Sequence, residues 1–385
     1  MSGTAFVPLE YDVFAGLDVD KRSISVTFST HQGFIRSMRI PYKADHLVHY
    51  VRKHFPEQKV AFAYEAGPTG YGLYDELSEQ AYACLVVAPS MIPKAPGQKV
   101  KTNRLDSRRL SESLRGGQLK GIHVPSGPYR ELRHLTQLRD TCVSQATATK
   151  QRIKSLLLFE GIAFPAAPRG SEWSLQVKAE LRELGCSSTV RFKLDRLLDI
   201  LEFAEKQVLT TTREIRRFCR QDKEILQSLQ YMMSIPGIGW ATASQLLARI
   251  GDWRQLRNAA QLGGFVGLIP SESSTGERSD RGPITQTGHG RLRSKLIEAA
   301  WSAMRRDGEL REFYRSICRT HPRDTGPRIA IVAVARKLTV RVAVVLKQQR
   351  PYVIRQQVHS APLTQEETTP QGKTRRQAEP GTANA

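Results

Sequence analysis

A mixed α/β layer over residues 1–125 and a mainly helical remainder are what the sequence predicts. Three patterns carry that prediction. β-rich apolar runs alternate with amphipathic stretches at the N-terminus, two long helical patterns fill the middle, and a basic, glycine-punctuated helical region follows them.

The N-terminal runs fall at 13–19, 23–29, 34–40, 59–64 and 83–88, with helical periodicity near 44–55, 70–80 and 104–116. The order is therefore β-β-β-α-β-α-β-α. Three strands in succession before the first helix match the RNase H arrangement, whereas a doubly wound nucleotide-binding sheet alternates from its start. From Gly127 to about Phe159 a helical pattern runs unbroken, and after a Pro/Gly connection over 165–170 another runs from about Val190 to Leu229. Leu194, Leu201, Val208, Ile215 and Leu229 hold one heptad position, and Leu197, Ala204, Thr211, Phe218 and Ile225 the other. Such a seam serves an intramolecular helical hairpin or a coiled coil joining subunits, and the sequence does not choose between them.

The region 230–350 reads as helical and basic with a Gly-rich middle, and 351–385 as a disordered tail with almost no large apolar residue beyond His359. The expected division is 1–125 for the α/β domain, 126–229 for the helical coiled-coil linker, 230–350 for the C-terminal domain and 351–385 for the tail.

Fifty-eight Lys and Arg against 37 Asp and Glu give a formal charge of +21, as expected of a protein that neutralises phosphates. Ribosomal proteins and anionic-membrane binders share such a balance. The five cysteines are odd in number and far apart, without a C-x-x-C pair, so neither a disulfide framework nor a zinc site is expected. No signal pattern opens the chain, and the apolar stretch from Ile329 to Leu346 is broken by Arg336, Lys337 and Arg341, so a cytoplasmic protein without a membrane partner is expected.

Asp18 interrupts the end of the first apolar strand, Glu65 ends the fourth, and Asp106 starts the third helix. A carboxylate at the end of an apolar strand costs free energy unless it binds a metal or finds donors. In an RNase H sheet the first and fourth strands are neighbours, so these three can converge and hold Mg²⁺ for phosphodiester chemistry. Taken singly, each reads as a cap or a solvated group, Asp106 above all. Asp20 shares a strand face with Asp18 and is a reserve ligand, with a solvated strand end as its plainer reading.

Two C-terminal motifs add to this. Ile235-Pro236-Gly237-Ile238-Gly239 before a helical stretch reads as a helix-hairpin-helix turn, in which Gly237 and Gly239 let backbone N–H groups approach a phosphate, or as a plain helix connection. Downstream, a hydroxyl cluster at Ser273, Ser274 and Thr275 lies in a Gly-flanked loop near Arg278, Arg281, Arg291 and Arg293. Arginines around a hydroxyl suit attack on a phosphodiester, though chemistry alone reads this as a polar surface loop.

The motifs Gly16-Leu17-Asp18-Val19, Tyr64-Glu65-Ala66-Gly67-Pro68, Val87-Ala88-Pro89-Ser90 and Val100-Lys101-Thr102-Asn103-Arg104-Leu105-Asp106 resemble the N-terminal domain of the insertion-sequence-110 family of transposases. Gly267-Leu268-Ile269-Pro270-Ser271-Glu272-Ser273-Ser274-Thr275-Gly276 resembles the same family's second domain. The resemblance implies a RuvC-like domain with a four-acid set, in which Asp18, Glu65 and Asp106 are three members and Asn103 stands where the third acid usually does. It implies a serine nucleophile, best matched by Ser274 with Ser273 and Thr275 as alternatives. It further implies Mg²⁺ as cofactor, donor and target DNA and a structured bridge RNA as partners, and a homo-oligomer, dimer or tetramer. The expected function is thus a DNA transposase acting as a recombinase. Its rivals are a junction-resolving endonuclease that uses water alone and a nucleic-acid-binding protein without catalysis.

Overall fold

The computed structural model describes residues 6–93, 102–166, 172–275, 278–285 and 288–354, with the backbone alone over 273–275 and 278–281. The expected tail, apart from its first four residues, lies outside them. Strands β1 (Val13–Val19), β2 (Ser23–Thr30) and β3 (Gly33–Pro41) form an antiparallel meander. Helix α1 (Ala44–His54) returns the chain to β4 (Val60–Glu65), parallel to β1, and α2 (Gly72–Glu79) leads to β5 (Ala83–Val87), parallel to β4. The strand order is β3-β2-β1-β4-β5, so the expected adjacency of the first and fourth strands is present.

The two-residue strand period sorts this sheet into two buried faces. Val13, Ala15 and Leu17 of β1, with Val60, Phe62 and Tyr64 of β4, pack against Leu47, Val51 and Leu77 of α1 and α2. Phe14, Ala61, Ala63 and Val87 point the other way, onto Leu110 and Leu114 of α3 (Asn103–Arg115). Helix α3 lies directly on β1. A Cβ built on Gly16 would stand 2.1 Å from the Ser107 carbonyl oxygen and 2.2 Å from the Ser111 nitrogen, so a side chain there has no room.

Next come α4 (Gly127–Phe159), α5 (Leu175–Glu183), α6 (Ser188–Gln221) and α7 (Lys223–Met233). The periodicity expected over 190–229 is thus two helices. The reason is Asp222, whose extended backbone ends α6 and whose carboxylate accepts from the Glu224 and Ile225 N–H groups to start α7. Helix α4 supplies a partner for the α6 seam within the chain: Ala146, Ile153 and Leu157 pack with Leu194, Leu198, Leu201 and Ala204. The short α5, not anticipated from periodicity, adds Val177 and Leu181 to that core.

The remainder holds α8 (Trp240–Ile250), α9 (Ala259–Val266), strands β6 (Pro270–Thr275) and β7 (Arg278–Ile284), then α10 (Gly290–Arg306), α11 (Gly308–Thr320) and α12 (Gly326–Gln348). The Gly-rich middle, read as a loop, is an antiparallel two-stranded ribbon. Its serines carry no apolar alternation, and the partner strand makes it a strand. The apolar stretch of α12 is core: Ala330, Val334, Leu338, Val342 and Leu346 are buried. Among the described residues no helix is long and apolar enough to cross a membrane.

Replacing Gly16 with Ala forces α3 off the sheet. Urea unfolding of this variant is expected to show a loss of about 3 kcal/mol or more, and a loss below 1 kcal/mol, on the order of an ordinary surface change, would contradict the close docking.

Candidate functional site

Asp18 and Glu65 end neighbouring parallel strands, and the pairing of Leu17 with Tyr64 brings them level. Asp18 shares its face with Phe14 and Gly16, and Glu65 with Ala61 and Ala63, so both lie on the side covered by α3. Asp18 is half-buried and Glu65 exposed.

The helix runs antiparallel to β1. The Ser111 hydroxyl donates to the Phe14 carbonyl at 2.9 Å, and Ser107 sits beside Gly16. Four helical residues, about 6 Å, thus match two strand residues, about 6.6 Å. One more such step brings Asp18 level with the first turn of α3, which carries Asn103 and Asp106. That pair, three apart, shares a helix face, with Asn103 exposed and Asp106 half-buried. Capping here is done by Thr102, whose hydroxyl accepts from the Leu105 N–H at 3.3 Å, so Asp106 is not the cap.

Asp18, Glu65, Asn103 and Asp106 therefore lie toward one corner of the sheet without converging on a single point. Their donor set, carboxylates and an amide carbonyl, is the oxygen chemistry that Mg²⁺ takes. Yet among the described residues no three acidic, His or Cys side chains stand close enough to hold a metal ion. Asp20 is spent locally: its carboxylate accepts from the Lys21 N–H at 2.7 Å in an exposed turn.

What sets the corner is a hydroxyl ladder that sequence reasoning missed. Thr27 meets Ser107 at 2.9 Å and Ser29 meets Ser111 at 2.6 Å, all four buried. The signal was present as hydroxyls two apart on a strand and four apart on a helix, which are the spacings of one face in each element.

In the turn between α7 and α8, Gly237 has a φ of +86° and a Cβ there would lie 2.2 Å from the Ala299 carbonyl oxygen of α10. Helix packing thus accounts for this glycine. Gly239 is exposed, with nothing near its Cβ position.

In the ribbon, Ser274 pairs with Ser279, Thr275 with Arg278 and Glu272 with Arg281. Its foot is closed by the Thr285 N–H donating to Ile269 at 3.0 Å. Five strand steps from Ile269 put the Ser274 backbone about 17 Å out from that foot. Arg278 and Arg281 run beside the serines on β7. Arg291 and Arg293 stay at the foot in the first turn of α10, where Arg293 donates to the Val266 carbonyl and Arg291 faces Asp140 at 4.0 Å.

Comparison with known proteins matches residues 229–315 to the model described as the transposase IS116/IS110/IS902 family, and residues 15–160 to a transposase model of the IS110 DEDD type. The chain is 31% identical to the y4qE protein of Sinorhizobium fredii over 298 residues, covering 76% of this chain and 72% of that one. It is 23% identical to the transposase for insertion sequence element IS1533 of Leptospira borgpetersenii, covering 64% and 72%, and 23% identical to that for IS1111A of Coxiella burnetii, covering 53% and 55%.

Ser111→Ala leaves the buried Ser29 hydroxyl and the Phe14 carbonyl without this partner and loosens the hold on the second half of α3. Chemical denaturation is expected to register a loss of about 1–3 kcal/mol; no change would mean that the ladder does not hold the helix.

Proposed function

This chain belongs to the IS116/IS110/IS902 family of transposases, and we propose that it is an insertion-sequence recombinase in which Ser274 attacks DNA while Asp18, Glu65 and Asp106, with Asn103, hold Mg²⁺. One observation carries this reading: the acidic corner falls within the matched residues 15–160 and the serine ribbon within 229–315.

The Ser274 oxygen forms a bond to phosphorus as the bond to the departing sugar oxygen breaks. The serine proton leaves to a carboxylate of the corner or to water, and the departing oxygen takes up a proton. Arg278 and Arg281 offset the charge that builds on the phosphate. Arg291, Arg293 and the turn at Gly237 and Gly239 hold the flanking backbone. Held by Asp18, Glu65 and Asp106 with Asn103, Mg²⁺ would supply positive charge to offset the charge on the attacking and leaving oxygens. A serine on a ribbon tip suits delivery to a surface outside its own helical core, so the active centre is shared between the two regions.

The proposed division follows the same logic, with a RuvC-like domain at 1–125, a helical linker at 126–229, the serine-bearing domain at 230–350 and a tail at 351–385. Donor and target DNA are the substrates, and family resemblance adds a structured bridge RNA as the guide; the charge of +21 suits a polyanion of either kind. A dimer or tetramer forms on the outer face of α6, where Phe192 and Phe203, three turns apart on one side, are 68% and 59% exposed. The cytoplasm is the compartment.

Ser274→Ala is expected to abolish strand exchange and the covalent protein–DNA adduct while leaving DNA binding intact; recombination at the unsubstituted rate would refute the nucleophile. Asp18→Asn is expected to slow strand exchange by at least about a hundredfold and to remove its dependence on added Mg²⁺. Cleavage without any trapped adduct would point to attack by water.

A further inference from the structure

Apart from the acidic corner and the ribbon, a pocket of about 160 Å³ opens between α4, α8 and the start of α10. Thr136 and Asp140 of α4, Gln245 and Arg249 of α8, and His289 and Arg291 line it. Its charge is lopsided. Arg139, Arg249, Arg291 and Lys295 all act on the Asp140 carboxylate, and Arg133 adds to the field at Arg249.

Most of these cations already have partners. Arg139 donates to Thr212, Lys295 pairs with Glu298, and Arg133 donates to the Ala248 carbonyl. Asp140 accepts from Gln245 at 2.5 Å and meets Arg291 at 4.0 Å. Arg249 makes no side-chain hydrogen bond or ion pair among the described residues. It is half-buried, and burial first, then Arg133 and Arg291 against the opposing Asp140 carboxylate, pull its guanidinium below its ordinary value. Burial likewise lowers His289, with Arg249 and Arg133 acting in the same sense, which favours the neutral imidazole. The loop that carries His289 turns at Gly288, φ +93°, where a Cβ would lie 2.3 Å from the Phe265 carbonyl oxygen.

A half-buried guanidinium among like charges, with five donors and no acceptor, lowers folding stability. Proteins retain such groups where a ligand uses them. The pocket has room for a small anion, and a phosphate offers the paired acceptor oxygens that a guanidinium fork fits. We propose that this pocket binds one backbone phosphate of nucleic acid, gripped by Arg249 and Arg291, with Asp140 holding Arg291 in place until the phosphate arrives. The assignment rests on the nucleic-acid reading above and adds a site remote from the serine ribbon's tip.

The experiment compares the full chain with Arg249→Met and Asp140→Asn, measuring binding of a duplex DNA and of a single-stranded RNA of equal length and arbitrary sequence across a salt series. Thermal unfolding without nucleic acid is read in parallel. Arg249→Met is expected to weaken binding about tenfold or more, to reduce the salt slope by about one phosphate's contribution, and to unfold at the same or a higher temperature. Asp140→Asn removes the internal counter-charge and is expected to tighten binding. Loss confined to the duplex assigns DNA as the source of the phosphate, and loss confined to the single strand assigns RNA. Unchanged affinity and slope in Arg249→Met, or weaker binding in Asp140→Asn, overturn the pocket while the proposed function stands. If the unsubstituted chain binds neither polymer, the proposed function falls and the pocket with it.

Discussion

The approach of α3 to β1 at Gly16 is the constraint on which the N-terminal layer depends. Helix and strand backbones meet there with no side chain between them, closer than any Cβ allows. Apolar contact alone would let a helix slide along a strand, because it is non-directional. The buried pairs Thr27 with Ser107 and Ser29 with Ser111 remove that freedom, since each hydroxyl is satisfied in one register. The position of Asp106 relative to Asp18 and Glu65 is therefore fixed by residues with no acidic chemistry of their own.

The C-terminal core has a comparable anchor in one ion pair. Asp307 is wholly buried between α10 and α11, caps α11 by accepting from the Leu310 N–H, and accepts from Arg341 of α12 at 2.6 Å. Arg341 also lies over the Tyr352 ring at 4.5 Å, which fastens the chain beyond α12. A buried pair of this kind is costly to break from either side, because the remaining charge is stranded. Arg249, in the same core, feels the Asp140 carboxylate but makes no hydrogen bond or ion pair among the described residues. The contrast separates a charge that serves folding from one that folding merely tolerates.

Much of this architecture was legible in the sequence. Runs of apolar, β-favouring residues specify β1 to β5 within a residue or two, and Gly127 and Phe159 bound α4 as the periodicity indicates. The break at Asp222 was hidden because Ile225 and Leu229 keep the heptad register across it, so the single polar residue that Asp222 puts on the seam position between Ile215 and Leu229 did not stand out as an end. Strands β6 and β7 were hidden because Ser and Glu at 271–274 have little strand preference of their own. Asp18 and Glu65 stood out as carboxylates ending apolar strands. The hydroxyl ladder did not, since Ser and Thr ordinarily mark caps and surfaces, and Thr27 finds Ser107 only after the sheet has closed. The pocket at Arg249 draws on α4, α8 and α10, whose residues have no sequence spacing to betray them.

The long hairpin has one further consequence. Beyond the segments of α4 and α6 that join the C-terminal core, through Leu132 and Ile215, its distal half packs on itself, on α5 and on Ile162, Phe164 and Trp173 of the connection before α5. Helix α4 has 33 residues and spans about 50 Å. Adding a matched pair of heptads, one to each long helix, would preserve the seam and disturb neither the sheet nor the core. The hairpin is in that sense a ruler: its length can drift through evolution while the sheet and the C-terminal core stay fixed, so the distance it spans is open to selection separately from either fold.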